Sequence, residues 1–135
     1  MTPLTDEVRD LLTAPNLVHL ATLMPDGSPH TVAVWADLEG DHIFFFTQPQ
    51  SRKARNLEQD PRVALSVVDR DNPYRSARVR GRVVATHTGD EALAMIDRLS
   101  QSYIGEPFPM RTGTVYEIEA EHAGFMELPF RPTPS

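Results

Sequence analysis

Cysteine is missing from all 135 residues. That excludes disulfides, thiol catalysis and thiolate metal sites, and it makes the cytoplasm the expected compartment. Lysine is almost missing too, since Lys53 stands alone beside 12 arginines. The 7 glycines are scattered among turns, so no glycine-rich phosphate loop is present. No apolar run approaches the roughly 18 residues of a membrane helix, and the aromatic-rich block Ile43 to Phe46 suits a buried strand. The first residues, Met1 to Asn16, lack a basic region followed by an apolar stretch, so no secretory leader is expected. His19, His30, His42, His87 and His122 show no metal-ligand spacing, and Ser28, Ser51, Ser66 and Ser76 show no nucleophile elbow. Neither a metal site nor a hydrolase is expected.

What remains is a chain of one-domain size, read as a single unit over 1–135 with a flexible proline-rich tail at 128–135. Hydrophobic residues make up 40% of it, enough for a core. A net charge of −6 argues against nucleic acid as a partner. The cations are unevenly spread, for eight of the arginines and the one lysine fall between Arg52 and Arg82. Composition alone leaves two readings open: a site for a small anionic ligand, or a set of solvated partners for surface carboxylates.

Along the chain, Thr5 caps a short helix to Leu12, ended by Pro15. Strands are predicted at Leu17–Leu23, Thr31–Trp35 and His42–Thr47, separated by turns at Pro25-Asp26-Gly27 and Glu39-Gly40-Asp41. Ser51 caps a helix over Arg52–Gln59, and a fourth strand covers Arg62–Val68. The fifth strand, about Tyr74 to Thr86, alternates so that Arg78, Arg80 and Arg82 share one face. Thr88-Gly89-Asp90-Glu91 has the spacing of a capping box and opens a helix to about Tyr103. A loop from Ile104 to Gly113, a sixth strand at Thr114–Glu119 and a last short strand near Phe125–Leu128 complete the pattern. The implied fold is mainly β with short helices: about six antiparallel strands in a closed or nearly closed barrel. Such a barrel is filled by its own side chains, so a sizeable ligand binds outside it, against a wall that a second copy supplies.

The segments Leu20-Ala21-Thr22-Leu23-Met24-Pro25-Asp26-Gly27-Ser28-Pro29, Ile43-Phe44-Phe45-Phe46-Thr47 and Ser51-Arg52-Lys53-Ala54-Arg55-Asn56-Leu57 are followed by Asp60-Pro61-Arg62-Val63-Ala64-Leu65. After them come Val79-Arg80-Gly81-Arg82-Val83 and Tyr103-Ile104-Gly105 with Pro107 or Pro109. In this order and spacing, over roughly residues 5 to 120, they resemble the pyridoxamine-phosphate-oxidase-like flavin and deazaflavin split barrels. The resemblance implies an oxidoreductase that works as a homodimer on a small-molecule substrate. Lys53, beside Arg52 at a serine-capped helix start, fits a phosphate site there. The plain alternative is a solvated lysine.

In the pyridoxamine phosphate oxidases an arginine on the second strand also holds the FMN phosphate, and Val32 takes that place here. The departure counts against FMN and against the vitamin B6 reaction. The short length, Asn56-Leu57 and Tyr103-x-Gly105 look more like the branch that uses the deazaflavin coenzyme F420. The resemblance then implies coenzyme contacts from Val32, Ala33, Val34, Trp35, Thr47, Arg52, Lys53, Arg55, Asn56, Ser76 and Arg78, with Arg75 as a further cation for the acidic coenzyme and His30 near the ring. No catalytic side chain is expected, because the coenzyme carries the hydride chemistry. An FMN enzyme of the same fold, or a non-catalytic carrier of flavin, deazaflavin or haem, is the competing expectation.

Overall fold

A computed structural model describes residues 3–133. The Thr5 hydroxyl accepts from the Val8 N–H and starts α1 (Asp6–Thr13), whose first turn carries Asp6 and Glu7 toward the positive end of the helix dipole. Next comes the hairpin of β1 (Val18–Leu23) and β2 (Pro29–Val34), joined through Gly27 at a φ of +86°, a backbone state that favours glycine. A three-residue strand absent from the sequence reading, β3 (Asp37–Glu39), then pairs with β4 (His42–Thr47) across the expected turn. After α2 (Arg52–Gln59) come β5 (Arg62–Val68), β6 (Arg75–His87), α3 (Gly89–Ile104) and β7 (Thr114–Glu127).

All pairings are antiparallel, in the order β2-β1-β5-β6-β7-β4-β3. The two strands predicted near the C-terminal end are one. The 13 residues of β6 offer a continuous partner for the 14 of β7. The stretch between the two predicted strands holds a bulge instead: Arg80 faces His122 while Gly81 faces Ala120, leaving Glu121 as the extra residue. Val84 is the extra residue on β6, between Val83 and Ala85. Bulges of this kind bend and coil a ladder, which lets one sheet wrap into the split barrel.

The inner faces of β1, β2, β4, β5, β6 and β7 form the main core, with Leu20, Val67, Ile43, Phe45 and Ile118 buried and α1 plugging one end through Leu11 and Leu12. Phe44 points the other way and is equally buried, beneath Ala92, Ile96 and Leu99 of α3. Strand β4 is therefore apolar on both faces, which accounts for the unbroken run Ile43 to Phe46. Beyond β7, the Leu128 N–H donates to the Tyr74 carbonyl and Phe130 meets the Tyr74 ring edge-on. The last two tail residues, Pro134 and Ser135, lie outside the described residues.

The capping box at Thr88 does not form. Thr88 precedes the helix, but its side chain makes no capping bond, and the next residue, Gly89, takes a left-handed φ of +67°. Glu91 is engaged elsewhere, 2.8 Å from His87 Nδ1. His87 Nε2 also binds Glu117, whose other oxygen lies 3.0 Å from His42 Nδ1. This clasp ties β4, β6, β7 and the start of α3 together.

Two predictions concern the fold. A Cβ on Gly81 would lie 2.1 Å from the Glu119 carbonyl oxygen, a backbone atom held in the β6–β7 ladder. Gly81→Ala should therefore cost about 1–3 kcal/mol in urea unfolding, and an unchanged midpoint would refute the close approach. The second concerns pH. The hydrogen bond to Glu117 raises the His87 pKa above its usual value, with burial opposing and Glu91 adding to the rise. The folded value exceeds the unfolded one, so this stabilisation is complete below about pH 6.5 and is lost as pH rises through the folded value. Between about pH 6 and about pH 8.5 the melting temperature of the wild type should fall more steeply than that of His87→Gln, and parallel curves would remove His87 from the account.

Candidate functional site

The sheet order ends at β2 and β3, and β3 pairs only with His42–Phe44 of β4, so the rest of β4 faces β2 across a seam that no ladder closes. A cleft of about 300 Å³ occupies it, lined by Ala33, Val34 and Trp35 on one side and by Phe46, Thr47 and Gln48 on the other. Lys53 of α2 closes one end, and Leu17, Phe108 and Met110 form the apolar rim. Trp35 is fixed from three directions: it stacks on Tyr103 at 5.3 Å and 14°, tilts against Phe46, and meets Phe108 edge-on. Tyr103 is fixed in turn, its hydroxyl donating to the Asn16 carbonyl at 2.6 Å and accepting from the Ala36 N–H. The result is a flat, rigid, mostly apolar wall.

The polar end is built around Ser51. Its hydroxyl accepts from the Ala54 N–H and from the Thr47 hydroxyl at 2.8 Å, so the end of β4 and the start of α2 are held together. The N–H groups of Arg52 and Lys53 lie in the first turn, where no helical carbonyl is available to them. Lys53 makes no ion pair among the described residues, and burial pushes its ammonium below the usual lysine pKa. A cation partly withdrawn from water and lacking a counter-charge favours an anion at this end of the cleft.

The loop between α3 and β7 supplies Phe108 and Met110 and is tied at both ends. Asp97 accepts from the Phe108 N–H and from both terminal nitrogens of Arg111, which hold its carboxyl below the usual range. Gln48 and Thr112 exchange two hydrogen bonds. The apolar rim is thereby fastened to α3 and to the base of the cleft.

Of the residues proposed from sequence, Ala33, Val34, Trp35, Thr47 and Lys53 meet in this cleft. Val32 points inward and packs against the main core. Arg52 and Arg55 share the helix with Lys53 but do not line the cleft. Asn56 is fully buried, its Nδ2 donating to the Thr22 hydroxyl. Ser76 and Arg78 lie on β6, separated from β2 by β1 and β5, and Arg78 borders a separate groove with Arg80, His122 and Gly124. Arg75 is engaged locally by Asp69 at 2.7 Å and Glu127 at 3.5 Å. His30 does not line the cleft. Sequence reasoning missed Leu17, Gln48, Phe108 and Met110. The aromatic and prolines of the late loop were the available signal for Phe108, whereas an exposed leucine or methionine carries none.

The sequence profile of the pyridoxamine 5'-phosphate oxidase family matches residues 4–127. The chain belongs to this family. A pyridoxine/pyridoxamine 5'-phosphate oxidase from Azorhizobium caulinodans is 36% identical over 101 residues, 73% of this chain and 47% of its own length. The chain thus spans about half the length of the curated relatives it matches. A solved F420 reductase superposes with a TM-score of 0.77 at 33% identity, covering 86% of this chain and 94% of its own. A conserved hypothetical protein from Mycobacterium tuberculosis gives 0.78 at 25%, covering 96% and 91%. HutZ, a heme storage protein from Vibrio cholerae, gives 0.68 at 16%, covering 94% and 95%, and shares the fold. The family is one of flavin-type oxidoreductases.

The cleft yields a direct prediction. A phosphate held by Lys53 makes charge-assisted hydrogen bonds, so Lys53→Ala should raise the dissociation constant of a flavin-type coenzyme about 10- to 100-fold, with the fold intact. Arg131→Ala, exposed and outside the cleft, serves as the control. Wild-type affinity in folded Lys53→Ala would make Lys53 an ordinary surface residue.

Proposed function

We propose that this protein is an F420-dependent oxidoreductase that transfers a hydride between the deazaflavin and a small organic substrate. The observation that carries this reading is Lys53: a half-buried cation without an ion-pair partner, at the end of a flat apolar cleft. F420 joins a planar ring to a phosphodiester and an acidic tail, and the bound ring supplies the hydride. The chain's part is to bind, orient and keep dry. Lys53 and the first-turn N–H groups of α2 hold the phosphodiester. Ala33, Val34 and Trp35 flank the ring, Thr47 and Gln48 offer polar contacts, and Phe108, Met110 and Leu17 keep water from the reacting face.

Val32 supports F420 over FMN, since an apolar, inward-facing residue stands where the pyridoxamine phosphate oxidases place a phosphate-binding arginine. Similarity over most of its length to an F420 reductase supports the same choice. The curated relatives support FMN as the second reading. A homodimer belongs to the proposal as well. Arg78, Arg80 and Arg82 lie on the outer face of β6 without ion pairs among the described residues, next to the small Ala64 and Ser66 of β5. A second copy laid on this flat face gives those arginines an anionic partner, the acidic tail included.

Fluorescence titration should show F420 binding at least ~10-fold tighter than FMN, a gap of about 1.4 kcal/mol. Equal or reversed affinities would favour the FMN reading. Reoxidation of reduced F420 by a panel of enones in the protein's presence should separate an enzyme from a carrier. Sedimentation at micromolar concentration should give a dimer, and a monomer that still binds coenzyme tightly would overturn the shared site.

A further inference from the structure

Asn56 lies on the inner face of α2 and is 1% exposed. Its Nδ2 donates to Thr22 Oγ1 at 3.0 Å and approaches Met24 Sδ at 3.6 Å, while its Oδ1 is buried without a partner among the described residues. Turning the amide end for end does not help. The Thr22 hydroxyl can give or accept, so it satisfies whichever atom faces it and the other atom is left alone. Thr22 stands directly opposite His30 in the β1–β2 ladder, and directly opposed side chains sit about 5 Å apart at Cβ. His30 Nδ1 is likewise buried and unpartnered. Two unsatisfied buried polar atoms thus belong to the residue bonded to Thr22 and to the residue paired with it across the ladder, and they do not hydrogen-bond each other. Buried polar groups in native proteins are rarely left in that condition.

We propose that Thr22, His30 and Asn56 form a binding site for one internal water molecule that joins α2 to the β1–β2 hairpin. The valences match. Thr22, already accepting from Asn56, has its own proton to give. Asn56 Oδ1 accepts, and His30 Nδ1 takes either role according to its tautomer. Three partners are the usual complement of a buried water. A metal ion is the poorer occupant, because the set offers an amide oxygen, a hydroxyl and one imidazole but no carboxylate. The water completes the seating of the helix whose first turn carries Lys53. His30 is thereby a positioning residue for that cation although it does not line the cleft, a consequence that rests on the coenzyme reading above.

A crystal structure at better than about 1.5 Å should show one density peak within about 2.6–3.2 Å of Thr22 Oγ1, Asn56 Oδ1 and His30 Nδ1. A dry site, or direct contact between His30 and Asn56, would overturn the proposal, and this arm needs no coenzyme. In solution, His30→Phe should weaken F420 binding about 3- to 10-fold, and His30→Gln, which restores a partner for the water, should recover most of it. Equal affinity in all three proteins would overturn the positioning role. If the water is seen but the wild type binds neither F420 nor FMN, the coenzyme reading fails and the water site stands.

Discussion

The missing ladder between β2 and β4 is the constraint on which the site depends. A sheet that wraps into a barrel but does not close leaves two strands facing each other without hydrogen bonds, and an edge of that kind must be covered or used. Here α2 spans one end of the seam, fastened by Ser51 to β4 and by Asn56 to β1. The late loop covers the other end through Phe108. Between them the chain holds a groove with an apolar wall and one cation. The bulges at Glu121 and Val84 and the close approach at Gly81 are what bend β6 and β7 enough for the seam to exist.

The arginines divide into two populations. Arg9, Arg62, Arg75, Arg98 and Arg111 are held by carboxylates and serve the fold. Arg52, Arg55, Arg70, Arg78, Arg80, Arg82 and Arg131, with Lys53, make no ion pair among the described residues. Within the basic segment Arg62 and Arg75 fit the reading as partners of surface carboxylates, and the other cations have no carboxylate partner among the described residues. Six of the cations without an ion pair sit on α2 (Arg52, Lys53, Arg55) and on the outer face of β6 (Arg78, Arg80, Arg82), while Arg70 lies in the loop between β5 and β6 and Arg131 beyond β7.

Most of the fold was legible because its signals are local. Thr5 and Ser51 announce their helices, Gly27 its turn, and the alternation of β6 fixes which face carries the arginines. The errors share a cause: tertiary partners overruled a local pattern. Thr88 has the spacing of a cap, but its side chain makes no capping bond and Glu91 is attached to His87 instead. The stretch around Glu121 was read as lying between two strands, but a long partner strand absorbs it as a bulge. At the site, Lys53 was legible from its uniqueness and its cap. Asn56 was named for a motif, yet its side chain faces β1, which only the packing of α2 on the hairpin could reveal. Met110 and Leu17 are exposed apolar residues far apart in sequence, and only the seam brings them together.

The central claim is that the seam, and Lys53 in particular, receives the phosphate-bearing part of a deazaflavin. The most direct measurement is a crystal structure of the protein soaked with F420. The account predicts the ring against Ala33, Val34 and Trp35 and a phosphodiester oxygen within hydrogen-bond distance, about 2.7–3.2 Å, of Lys53 Nζ. A coenzyme seated on the outer face of β6 with Lys53 left in solvent would contradict it.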